Sequence, residues 1–244
     1  MDKRSDEESN MDREGALVSA GRTHVGNVRA NNEDSFIALD ALGVWAVADG
    51  MGGYRDGDVA SRMVCRALDE LDASAPFDET ITAIKVRLAA VNRHLYKAAV
   101  RLINPVQSGS TAAVLLVRDD KCAAIWAGDS RIYRYRDGEL TRLTTDHTLA
   151  AELNLHESLQ TGHAITRAVG GDSTLALDVR RDHVRPGDRY LLCTDGLTHE
   201  LTDAEIAALL AQGTTEQCAD SLIRETLAHG AHDNVTVLVV DVRL

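Results

Sequence analysis

The stretch STAAVLLVRDDKCAAIWAGDSRIYRYRDGELTRL (110–143) decides the fold. It reads as four short strands at 110–118, 121–127, 132–136 and 140–143, built from aliphatic, β-branched and aromatic residues. Asp119-Asp120 and Asp137-Gly138 stand between successive strands as two-residue turns, and Asp-Gly suits a type I′ hairpin because both central residues take positive φ. Strands joined this tightly run antiparallel, since a parallel pair needs a long crossover. Outward from this block, further strands are expected at 16–23, 35–39 and 44–48 before it, and at 175–184, 190–194 and 235–242 after it. Helices are expected at 57–73 and at 80–104. In the second, Ile81, Ile84, Leu88, Val91, Leu95, Ala98 and Leu102 recur at steps of three and four and make one apolar stripe. Two later helices open on capping boxes, Thr202 with Glu205 and Thr214 with Gln217. Residues 144–162 are polar, with weak helical character. Hairpin-linked strands with helices in separate pairs, and no β-α-β alternation, predict an α+β fold of antiparallel sheet packed by helices.

A chain of 244 residues can bury a core large enough to fold without disulfide or metal staples. Residues 1–14 hold six acids and three bases and almost nothing apolar, so they are expected to be a disordered acidic tail ahead of a single domain at 15–244. The net charge of −12 argues against a nucleic-acid backbone or an anionic membrane as partner. No apolar run approaches a membrane span, and the first residues lack the apolar segment of a secretory signal, so a cytoplasmic protein is expected. The four cysteines form no CxxC pair, and Cys122 and Cys193 lie inside apolar strand-like runs, which predicts buried, reduced thiols.

The chemistry lies in the placement of acids. Asp49 and Asp195 end apolar strands and are each followed by glycine; Asp129 ends AAIWAG; Glu33 and Asp34 open SFIAL; Asp233 opens NVTVLVV. Asp-Gly alone is a turn pair and occurs four times, and Asp56-Gly57 and Asp137-Gly138 are read simply as turns. A rigid sheet could nevertheless bring the strand-end acids together, and clustered carboxylates stay ionised only when cations hold them. Oxygen donors without Cys or His select hard ions such as Mg²⁺ or Mn²⁺ over Zn²⁺.

The runs around these acids carry a resemblance. GNVRANNEDS (26–35), VADGMGG (47–53), GDVAS (57–61), GSTAA (109–113), AGDSRIY (127–133), DHT (146–148), ITRAVG (165–170), LCTDGL (192–197) and DNVTV (233–237) occur in that order, over about 16–244. This series resembles the metal-dependent protein Ser/Thr phosphatases (PPM, type 2C) in their compact bacterial form. A looser likeness, in the segment leading into HAITRAVG, is to members that accompany a Ser/Thr kinase in secretion-system clusters, notably type VI. The resemblance implies a four-layer α-β-β-α sandwich and hydrolysis of phosphoserine and phosphothreonine, opposing a kinase, by a protein expected to be monomeric. It also implies roles by position. Asp49 would bridge two Mn²⁺ or Mg²⁺ ions, with the Gly50 carbonyl and Glu33 serving the second and Asp195 and Asp233 the first. Asp34 would orient water, Arg29 would grip the substrate phosphate, and Asp129 with Asp195 would hold a third, weaker ion. Asn234 would orient Asp233. Met51 stands where some relatives carry a histidine proposed as general acid, and His147 is a candidate acid by residue type alone. The polar flap 144–162 would be a solvated loop or a substrate-selecting one.

Other classes fare worse. A silent phosphatase fold acting as a binding module would be expected to lack a metal acid, and none is missing. A metal nuclease lacks the basic, aromatic surface it would need. A P-loop NTPase is excluded by the absence of GxxxxGK[ST].

Overall fold

The computed structural model describes residues 17–52, 56–100, 108–153 and 164–243. The expected tail at 1–14, Gly53, Leu102 and the flap residues 154–162 lie outside the described residues. Among the described residues, eleven strands form two antiparallel sheets. One has the order β1-β11-β10-β7-β8, from β1 (Leu17–His24), β11 (Val235–Val242), β10 (Arg189–Cys193), β7 (Arg131–Arg136) and β8 (Glu139–Arg142). The other runs β2-β3-β5-β6-β9, from β2 (Asp34–Leu39), β3 (Val44–Met51), β5 (Ala112–Arg118), β6 (Lys121–Ala127) and β9 (Asp178–His183), with the short β4 (Gly109–Ser110) also on β3.

The near-continuous apolar strands follow from burial on both faces. In β3, Trp45 and Val47 point between the sheets, while Val44, Ala46 and Ala48 point to the helices α1 (Gly57–Arg66) and α2 (Phe77–Val100). In β11, Leu238 and Val240 enter the inter-sheet core, and Val235, Val237 and Val239 pack against α5 (Asp203–Leu210) and α6 (Thr215–His229). Helix pair, sheet, sheet and helix pair thus make the four expected layers. Both capping boxes form as read, and all four cysteines are buried free thiols. In the second hairpin Asp137 and Gly138 take φ of 53° and 84°, as a type I′ turn requires.

Several elements differ from expectation. The helix expected at 57–73 stops at Arg66, because Arg87 of α2 donates to the Ala67 and Glu70 carbonyls that a longer helix would use internally. The apolar stripe of α2 passes through Ala99, with Ala98 exposed, because four steps from Leu95 keep the 3.6-residue phase. The strand expected at 110–118 breaks at Thr111, whose N–H donates to the Asp49 carbonyl (2.9 Å). The strand expected at 175–184 is Asp178–His183, with Leu175 and Leu177 packed on the helix-side core. The one-turn helix α3 (Leu149–Glu152) falls in the stretch of weak helical character, and the one-turn helix α4 (Asp195–Thr198) lies outside the expected elements.

Candidate active site

Asp49 sits near the end of β3, directly opposite Asp34 across the β2–β3 ladder. Asp195 begins α4 immediately after β10, and Asp233 lies just before β11. One sheet therefore delivers Asp34 and Asp49, and the other delivers Asp195 and Asp233, to the same end of the sandwich. Asp129 lies in the link between β6 and β7, where the chain crosses from one sheet to the other. A cavity of about 520 Å³ opens over this end, lined by Arg29, Glu33, Asp49, Met51, Asp195 and Asp233 among others. A second, about 430 Å³, adjoins it and shares Met51 and Ile165.

The supporting bonds are specific. Thr194 donates through Oγ1 to Asp34 Oδ2 (2.8 Å) and accepts the Thr236 N–H (3.0 Å), so one hydroxyl ties the two sheets together beneath the site. Thr111 Oγ1 accepts the Asp49 N–H (2.8 Å) and shares a hydrogen bond with Ser130 Oγ (2.7 Å). Asn234 accepts the Glu33 N–H at Oδ1 (2.8 Å), donates through Nδ2 to the Val25 and Asn31 carbonyls, and donates its own N–H to Asp233 Oδ1 (2.8 Å). Its side chain thus fixes the Glu33 loop, while its backbone N–H holds Asp233 Oδ1. The Asp56-Gly57 pair, read as a simple turn, is the entry to α1: a Cβ at Gly57 would meet the Glu33 carboxylate at 2.8 Å and the Gly50 carbonyl oxygen at 2.9 Å.

The electrostatics are those of crowded carboxylates. Burial, then Asp34, Asp195, Asp129 and Asp233, push the Asp49 carboxyl far above its usual range. Burial raises Asp34 to about 7 despite hydrogen bonds from Thr236 and Thr194. Burial and the Asp195 charge raise Asp129 to about 8. Asp195 and Glu33 are also raised, in both cases mainly by burial. The buried Oδ1 atoms of Asp34, Asp129 and Asp195 have no hydrogen-bond partner. Unpartnered buried carboxylate oxygens are costly, and hard divalent cations are the partners they fit. Among the described residues, no three His, Cys, Asp or Glu side chains are placed so that they could hold a metal ion as they stand.

The sequence-derived residues mostly meet here, with two qualifications. Arg29 Nη2 donates to Asp233 Oδ2 at 2.6 Å, although its side chain is 57% exposed. Thus the residue assigned to phosphate rests on a residue assigned to metal. His147 is no catalytic acid. It is buried, stacked on Trp126 with ring centroids 6.0 Å apart, accepts the Gly128 N–H at Nδ1 (3.2 Å), and lies 3.2 Å from Asp178 Oδ2 through Nε2. The start of the flap is likewise not a solvated loop, since Thr144, Asp146, His147 and Thr148 are all buried. Arg131 explains part of this, donating from Nε and Nη2 to the Asp146 carboxylate. His156, Glu157 and His163 lie outside the described residues. The hydroxyls of Thr111 and Thr194 were not singled out in the sequence; each occurs inside a quoted run, GSTAA and LCTDGL, and that is the only signal they carry.

The protein phosphatase 2C family model matches residues 20–229. The serine/threonine protein phosphatase PstP of Mycobacterium tuberculosis is 36% identical over 236 residues; the match covers 93% of this chain and 45% of that protein, so the chain spans about half of that relative's length. The serine/threonine phosphatase stp of Listeria monocytogenes is 31% identical over 90% of this chain and 94% of its own. Among solved structures, PppA, described as a key regulatory component of T6SS in Pseudomonas aeruginosa, superposes with TM-score 0.88 at 37% identity, covering 92% of this chain and 97% of its own. The catalytic domain of PstP, in complex with 2 manganese ions, superposes with TM-score 0.83 at 36% identity, over 93% and 99% of the two chains. With its two-sheet sandwich, its strand-end carboxylates and a family match over most of its length, the chain belongs to the protein phosphatase 2C family.

Proposed function

We propose that this chain is a metal-dependent protein phosphatase that removes phosphate from phosphoserine and phosphothreonine in proteins. The observation that carries the reading is the convergence of Asp34, Asp49, Asp129, Asp195 and Asp233 from both sheets, with buried carboxylate oxygens left for cations. Asp49 would bridge two Mn²⁺ or Mg²⁺ ions; Gly50 and Glu33 would serve one, Asp195 and Asp233 the other, and Asp129 with Asp195 a third, weaker ion. Bound there, such ions supply Lewis acidity toward phosphate oxygens and an activated water at neutral pH.

The chain's own groups do the rest. Arg29, at the rim of the cavity, has a guanidinium fork able to take two phosphate oxygens and offset charge in the transition state. Asp34 has one oxygen fixed by Thr194 and the other unpartnered, so Oδ1 can accept a hydrogen bond from the attacking water and hold it in line. No protein nucleophile is required. Burial raises Cys65 and Cys193 to about 12, which removes the thiolate that a cysteine-dependent phosphatase uses.

On this reading its substrates are phosphorylated proteins, and the enzyme it opposes is a Ser/Thr kinase of a bacterial signalling system. Among the described residues no helix is long and apolar enough to cross a membrane, and a cytoplasmic monomer with an acidic tail at 1–14 and one domain at 15–244 completes the proposal. EDTA is expected to abolish hydrolysis of a phosphothreonine peptide and Mn²⁺ to restore it. Activity that survives EDTA, or is lost on thiol alkylation instead, refutes the reading.

A further inference from the structure

Asp195 and Asp233 lie on separate segments, yet the proposed function requires both on one ion; the inference below rests on that reading. Gly196 lets the segments approach closely, since a Cβ there would meet the Asn234 carbonyl oxygen at 1.9 Å. Close approach alone does not fix relative orientation. We propose that Glu200 is the positioning residue that does so, tying the α4 segment that carries Asp195 to the loop that carries Asp233. Glu200 Oε1 accepts the His232 backbone N–H at 3.1 Å and meets His232 Nδ1 at 2.8 Å. The Glu200 side chain is 11% exposed, whereas the imidazole it touches is 78% exposed, so the buried end of the tether is the carboxylate.

The loop needs such a restraint. Gly230 and Ala231 take φ of 132° and 41° in succession, and Ala231 is fully buried. A residue with a side chain rarely adopts positive φ, and it stays there only when its surroundings over-determine it. On one side Asn27 does this, donating its N–H to the Ala231 carbonyl (2.9 Å) and its Nδ2 to the Gly230 carbonyl (2.9 Å). Asn27 belongs to the β1–β2 loop that also carries Arg29 and Glu33, so it sets Asp233 relative to those residues. Glu200 sets it relative to Asp195. The other end of the tether is firm: the His199 N–H donates to the Asp195 carbonyl (2.8 Å), the Leu201 N–H donates to the Leu197 carbonyl (2.9 Å), and Leu201 is seated in the core beneath α5 and α6. A shift at Glu200 is therefore passed to Asp195.

The test is Mn²⁺ titration of the metal-stripped full chain by calorimetry. Glu200→Ala removes the acceptor, and Glu200→Asp keeps the charge but is one methylene too short. Each is expected to weaken the tightest Mn²⁺ binding at least tenfold. Glu200→Gln keeps an oxygen for the His232 N–H, and His232→Ala keeps that N–H; both are expected to stay within threefold of wild type. A role confined to stability would lower the melting temperature in EDTA and leave the Mn²⁺ affinity unchanged, and that result overturns the proposal. If Glu200→Ala does not fold, Glu200→Asp carries the same comparison. Asp233→Asn separates the two levels of inference. If it binds Mn²⁺ as wild type does, the ligand assignment fails; if it loses binding while Glu200→Ala and Glu200→Asp do not, the tether alone fails.

Discussion

Replacing Asp49 by asparagine is expected to destroy activity and, in the absence of metal, to stabilise the fold. In the folded chain, burial and the charges of Asp34, Asp195, Asp129 and Asp233 hold the Asp49 carboxyl well above the 3.8 of an ordinary aspartate. The sign follows from linkage. A carboxyl whose folded pKa is raised contributes fully to stability below the unfolded value, and that contribution is lost as pH rises through the folded value. Holding this proton near neutral pH, against an unfolded chain that releases it, therefore costs the metal-free fold stability. Asp34 and Asp129, raised to about 7 and about 8, share the burden with it, so the uncharged amide is expected to relieve part of that cost. For a domain of this size each kcal/mol of relief raises the melting temperature by about 2–4 °C. At pH 4.5, close to the ordinary aspartate value, the difference is expected to shrink. The assay is thermal unfolding in EDTA at both pH values, repeated with Mn²⁺. Wild type is expected to gain stability from Mn²⁺, and Asp49→Asn to gain little. Hydrolysis of a phosphothreonine peptide is expected to fall by at least ~10³, as befits loss of a shared metal ligand. A variant less stable than wild type in EDTA at pH 7.5, or one that Mn²⁺ stabilises equally, refutes the reasoning.

Three other outcomes are expected. Arg29→Ala is expected to lower kcat/KM for phosphopeptides by about tenfold or more, as loss of a charge-assisted phosphate contact does; an unchanged kcat/KM would leave Arg29 only its ion pair with Asp233. Asp129→Ala is expected to keep the two tight Mn²⁺ ions and lose a weaker one in calorimetry. Its rate defect is expected to be larger on phosphoserine peptides than on p-nitrophenyl phosphate, whose phenolate leaves without a proton, and equal defects would show that it merely positions the other carboxylates. Deleting residues 1–14 is expected to leave peptide hydrolysis within about twofold, as for a terminus with too few apolar groups to pack; a large fall in melting temperature would contradict this.

The sequence alone determined what depends on near neighbours along the chain. Hairpin direction followed from Asp119-Asp120 and Asp137-Gly138, the α2 stripe from its period, and the starts of α5 and α6 from Thr202 and Thr214, because turn chemistry, helical phase and capping are local. Ordered motifs around the strand-end acids also pointed to a metal-dependent phosphatase and to Asp49, Asp195 and Asp233. Only the tertiary structure decided what those residues meet. Thr194 reaches Asp34 across 160 positions, Asn234 reaches Glu33 across 201, and Glu200 reaches His232 across 32. No local pattern marks such pairs: the first two are made by the packing of the two sheets, and the third by the pairing of β10 and β11 within one sheet, all between segments far apart in the chain. The same packing turned His147 from a candidate acid into a buried ring on Trp126, and made Gly57 a required gap beside Glu33. Residue type sets what a side chain can do; the closed end of the sandwich determines which neighbours it does it with.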